Sequence, residues 1–152
     1  MADHARTQIR DAAVTRVTGL STTGTRVFKS RVYPLEKADL PGLLVRVALG
    51  VPETVEVQTV HAPRVLDRTM PLEIVGVARA TDDLDDDLDQ IAKEGEAAMA
   101  GFVAANPTLV KDCTLRSTTI EITDGQEKPL GTVTLQYDVN YFTYDNAPDV
   151  AL

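Results

Sequence analysis

The chain has 152 residues, 43% of them hydrophobic, enough for one globular domain that buries roughly 70% of its unfolded surface. Aromatics make up 5% with no Trp, so the core is expected to be Val, Leu, Ile and Ala. A net charge of −8 rules out nucleic-acid binding through a general basic surface, which needs clustered Lys and Arg. No apolar run approaches the roughly 20 residues that span a bilayer, and Met1–Arg6 holds no signal-type apolar stretch, so a soluble intracellular protein is expected.

In chain order, Ala5 to Leu20 reads as a short amphipathic helix whose stripe is Ile9, Ala13, Val17 and Leu20, with Gly19 or Gly24 as its stop. A strand is predicted from Arg26 to Tyr33, ended by Pro34, and a second from Gly42 to Leu49, apolar enough to be covered on both faces. Residues 54–60 and 64–80 are expected to form a hairpin that protrudes at its His61-Ala62-Pro63 tip, with a bulge or edge at Pro71. The strongest signal is a helix from about Asp82 to Ala105, capped by Thr81 or Asp82 and stopped at Asn106-Pro107. Two strands follow, Asp112 to Thr123 and Gly131 to Tyr144. The second alternates with Val133, Leu135, Tyr137, Val139 and Tyr141 inward. Residues 145–152 show no pattern and read as a flexible tail after a single domain spanning 1–144. The fold class expected is α+β: an antiparallel or mixed sheet with two helices packed on it and a protruding hairpin.

The side chains offer little chemistry. Cys113, the one cysteine, has no partner histidine, and His4 and His61 lack a neighbouring ligand or base. Six aspartates crowd positions 82–89, but Leu84 and Leu88 interrupt them at helical spacing, and the calcium-loop Gly and Glu are missing. The better reading is a solvated helix start, where acidic groups complement the dipole. A metal-dependent hydrolase built on Asp82–Asp89 is the weaker alternative. Arg64, Arg68 and Arg79 are candidates for a basic spot on the hairpin, against the plainer reading of a solvated strand face. No phosphate loop and no nucleophile elbow occur, so neither an enzyme nor a cofactor is expected.

Several stretches together resemble the bacteriophage tail-terminator family, the minor tail proteins similar to the U protein of phage lambda. They are Ala5–Ala12 with Thr18-Gly19-Leu20, Arg31–Leu35, Leu40–Val45, Arg68–Ile74, the Asp-rich start of the second helix, Val110–Leu115, Lys128–Gly131 and Leu135–Tyr141. The likeness spans about residues 4–144 and rests on element order and dispersed positions. Related prophage and gene-transfer-agent tail proteins share it. The resemblance implies a non-enzymatic virion subunit that forms a hexameric ring on the finished tail tube, assembled in the bacterial host cytoplasm. Its implied partners are itself, the tail tube protein and the head–tail connector proteins, with DNA passing through unbound and no membrane contact. A head–tail connector or head-closure protein is the alternative within virions. On this reading His61, Arg64, Arg68, Asp124, Gln126 and Lys128 are candidates for the subunit or tube interface. Asp85, Asp86 and Asp89 are candidates for an acidic lumen that repels phosphate.

Overall fold

The structure is a computed structural model that describes residues 2–29, 40–80, 82–123 and 129–152. Two 15-residue strands dominate it, β4 (Val65–Arg79) and β6 (Leu130–Tyr144), paired antiparallel along their whole length as a ribbon about 50 Å long. Since β6 covers one margin of β4, the shorter strands must share the other. There β2 (Gly42–Val47) pairs with 72–77 and β3 (Thr54–Val57) with 66–69. Parallel to β2 lies β1 (Val27–Lys29). On the far margin of β6 run β5 (Asp112–Thr123) and β7 (Ala147–Ala151). The result is the mixed seven-stranded sheet expected in class, with its order β1-β2-β4-β6-β5.

All the helices lie on one face. α1 (Ala5–Val17) buries Ala5, Ile9, Ala13 and Val17, one residue per turn, and His4 caps it by accepting the Arg6 N–H at Nδ1, 3.1 Å away. The helix stops three residues short of Leu20 because Gly19 takes a positive φ of 91°, and Leu20 instead bridges to Gly24. α2 (Leu84–Ala100) buries Leu84, Leu88, Ile91, Ala92, Gly95 and Met99. It is shorter than expected, since Gly101 separates it from the single turn α3 (Phe102–Ala105). Its N-cap is Asp83, in the left-handed region and with no side-chain cap bond. Of the two expected caps, Asp82 lies one residue before the observed one, and Thr81 lies outside the described residues. α2 sits tightly on the ribbon because Gly76 has no side chain: a Cβ there would come within 2.5 Å of Ile91 Cγ2.

The period-two pattern of β6 is borne out, with Val133, Leu135, Tyr137, Val139 and Tyr141 all buried beneath the helices. β2 is covered on both faces. Leu43 and Val45 join the main core, while Leu44 packs with Val75 and Val77 in a small cluster on the opposite face. Pro71 introduces no bulge. It stands where β4 passes from β3 to β2 as partner, and its carbonyl accepts the Ala48 N–H at 2.9 Å. Residues 145–152 are not a patternless tail: β7 pairs with Thr143 and Tyr144, the Leu152 N–H reaches Phe142 O at 2.8 Å, and Gln8 Nε2 donates to Asp149 O. The contacts are almost all backbone, which is why side-chain periodicity gave no sign of them.

Candidate assembly surface

The hairpin lies where the sequence places it. The Gln58 N–H closes onto Val65 O at 2.8 Å, and His61, Ala62, Pro63 and Arg64 are all exposed at the tip. The expected basic spot, however, does not form. Arg64 and Arg68 stand at the start of β4 and Arg79 at its far end, a whole ribbon length away. Arg64 is solvent-facing, and its backbone exchanges hydrogen bonds with Asp145. Arg68 has turned inward, to the helix-bearing face, with its side chain only 12% exposed. The alternation of β4 dictates this, because Arg68 shares its face with Leu66, Met70 and Leu72.

Arg68 belongs to a polar network that no local motif announces. Glu53, in the loop before β3, accepts Arg6 Nη1 at 2.6 Å and Arg68 Nη1 at 3.3 Å through Oε2, and the Tyr141 hydroxyl through Oε1. Arg68 Nε donates to the buried Thr143 Oγ1 at 3.0 Å. Residues from α1, the loop, β4 and β6 are thereby tied together, 47 and 88 positions apart in sequence at the extremes of Glu53's partners. Burial and the Glu53 carboxylate push the Tyr141 hydroxyl well above its ordinary pKa. Burial, with the cations Arg6 and Arg68 nearby, pulls His4 below its usual value. The network fixes the root of the hairpin; it holds no general base or nucleophile poised at a cleft.

The remaining candidates are surface or inert. Asp85, Asp86, Asp87 and Asp89 are exposed on α2, and Asp82 and Asp83 are exposed just before it. Asp83, Asp85 and Asp86 border a shallow cleft that also touches Leu84, Ile122 and Pro129. Among the described residues no three His, Cys, Asp or Glu side chains gather as metal ligands. Asp124, Gln126 and Lys128 lie outside the described residues. Cys113 is half-buried at the start of β5, and burial, reinforced by Asp112, pushes its thiol up to about 12, so it is not an activated nucleophile. Glu94 is held below the usual carboxylate range. Burial opposes its charge, but the Thr22 hydroxyl and N–H and the Gln90 amide donate to it and prevail.

What the structure offers instead is unpaired sheet edge. Among the described residues β5 is bonded on one side only, to β6, and eleven of its 12 residues are exposed. Its register with β6 turns Leu115, Ile120 and Ile122 to the helix-bearing face, opposite Tyr137, Val133 and Gly131, where α2 and α3 cover them only in part. Among the described residues β3 is likewise bonded only to β4, and it exposes Val55 and Val57. Sequence reading marked β5 as a strand but could not tell how little of it the helices cover, because coverage is a property of the whole sheet.

No family model matches this sequence, and no curated protein matches it. Among solved structures, a chain from the virion of a native gene transfer agent particle aligns with 90% of this chain and 92% of its own length, at 14% identity and a TM-score of 0.36.

Proposed function

We propose that this chain is a non-enzymatic structural subunit of a phage-type virion that closes into a ring, six-membered on the family resemblance, on the end of the tail tube. The ring ends tube growth and gives the head connector a surface to join. The observation that carries this reading is β5, a 12-residue edge strand bulged between Leu115 and Ser117, with no outer partner among the described residues and three half-exposed apolar side chains. A protein that works as a monomer blunts or covers such an edge, whereas an assembly subunit needs it. The resemblance over residues 4–144 supports the same reading. Asp85, Asp86 and Asp89 are proposed to line the channel, where their charge repels DNA phosphate and lets the genome pass unbound. The exposed tip at His61 and Arg64 is proposed to meet the tube or a neighbouring subunit, together with Asp124, Gln126 and Lys128.

Electron microscopy of tails assembled with and without the protein tests the reading. Over-long tubes in its absence are expected. Tails of normal length that fail to acquire heads would overturn termination and make the chain a connector component instead.

A further inference from the structure

β5 is symmetric about its own midpoint. It pairs with β6 on eleven rungs, from Asp112 opposite Asn140 to Thr123 opposite Leu130, and because the bulge leaves Arg116 off the ladder, the central rung is Thr118 opposite Leu135. Counted outward from Thr118, Ser117 on one side matches Thr119 on the other, Leu115 matches Ile120, and Cys113 matches Ile122. The two charged residues on the rungs, Asp112 and Glu121, match Thr123 and Thr114. A strand with this pattern is complementary to an antiparallel copy of itself.

Resting on the assembly reading above, we propose that away from the tube two copies of the chain join β5 to β5 about a two-fold axis at Thr118. The pair keeps the assembly edge covered until the tube end competes for it. On the helix-bearing face, the half-exposed Leu115, Ile120 and Ile122 each gain an apolar neighbour across the junction, and the outward backbone groups of both strands are satisfied. On the other face lies Arg116, with its side chain 64% exposed even as it reaches Asp138 at 3.2 Å. It comes within side-chain reach of the partner's Glu121, which stands beside Thr114, and the symmetry makes that contact twice. The bulge fits as well: Arg116 and Ser117 of each copy face the partner's Thr119, two residues against one. Such a contact uses the same edge of both copies and stops at two.

The fold leaves room for it. The link from β5 to β6 begins and ends on the paired couple Thr123 and Leu130, so the chain returns to β6 and not to this edge. Residues 30–39 join β1 to β2, which stand four and three strands away. Since α2 lies over β4 and β6, a strand spacing of about 4.8 Å sets the two copies of α2 roughly 19 Å apart, about twice a helix diameter. The trough between them takes the apolar rungs of both copies. Five strands from each copy make a joined sheet ten across, within the range of open sheets.

Thiol cross-linking tests the axis. In a Cys113→Ser background, Thr118→Cys and His61→Cys each carry one thiol and are treated with a short bifunctional thiol reagent. Thr118→Cys is expected to give a dimer and nothing larger, because its thiol sits beside its own copy, while His61→Cys at the hairpin tip stays single. Species above the dimer would overturn the two-fold contact in favour of a repeating one, and a Thr118→Cys chain that stays single would overturn it outright. Charge reversal gives an independent reading on exposed side chains. Arg116→Glu and Glu121→Arg should each weaken dimerisation of the parent roughly tenfold, since two ion pairs give way to two like-charge contacts. The double variant should recover it, with circular dichroism unchanged throughout; failure to recover would count against the pairing. If tails lacking the protein are over-long yet Thr118→Cys gives no dimer, the assembly reading stands and this pairing falls; a dimer beside tails of normal length does the reverse.

Discussion

Glu53 gives the sharpest test of how the hairpin arm is held. Its side chain is 11% exposed and that of Arg68 12%, so the pair is largely removed from water, while Arg6 at 39% keeps access to solvent. Replacing Glu53 with Ala leaves Arg68 with its hydrogen bond to Thr143, and removing one member of a buried pair costs about 3–5 kcal/mol. The Tyr141 hydroxyl is orphaned in the same step, at about 1–3 kcal/mol. The two costs share a site and do not add, and the guanidinium regains some water, so a loss of about 3 kcal/mol is expected. At typical slopes of about 1–3 kcal/mol per molar urea, the midpoint should fall by at least about 1 M. Glu53→Gln, which keeps an acceptor but not the charge, should lose less. Glu53→Ala/Arg68→Met, which removes both charges, should recover much of the loss. Urea titration followed by circular dichroism measures all three. A Glu53→Ala loss below about 0.5 kcal/mol would refute the reasoning and reduce the network to an ordinary surface pair.

Gly76→Ala should destabilise by about 1–2 kcal/mol, because its Cβ meets the β-branched Ile91 side chain, which cannot turn away within a helix. In an Ile91→Ala background the same change should cost much less, with only the 3.0 Å approach to Val133 Cγ1 left to relieve, and equal costs in both backgrounds by thermal melting would contradict the close approach. Burial and the nearby Arg6 and Arg68 lower the His4 pKa in the fold, so as the pH falls the unfolded chain takes up the proton first. Stability should therefore be complete above about pH 6.5 and decline as the pH falls below that value, with His4→Asn, which retains a cap acceptor, flattening the profile. Cys113 should react slowly with a thiol reagent at pH 8 in the native state and quickly in urea; fast native labelling would contradict its burial.

Much of the fold was legible because periodicity reports burial. The alternation of β6 and the spacing of α2 each record one buried face, and both are found as read. The boundaries moved where backbone geometry decided them, at Gly19 and at Asp83, which adopt positive φ. β7 was missed because it is held by main-chain bonds and short side chains. Arg68 was misplaced on the surface because an arginine in a strand is ordinarily solvated, and its buried partners Glu53 and Thr143 lie 15 and 75 residues away. Which edges lie open depends on the strand order, and no local pattern encodes that.

The central claim is that the chain works by closing into a ring through its sheet edges. Native mass measurement of the purified protein, alone and mixed with tail tubes, tests it most directly, with Ile120→Lys as control. The account predicts one discrete closed oligomer, free or seated on the tube end, that the parent forms and Ile120→Lys does not. A parent chain that remains monomeric under both conditions, or an Ile120→Lys chain that assembles as the parent does, would contradict it.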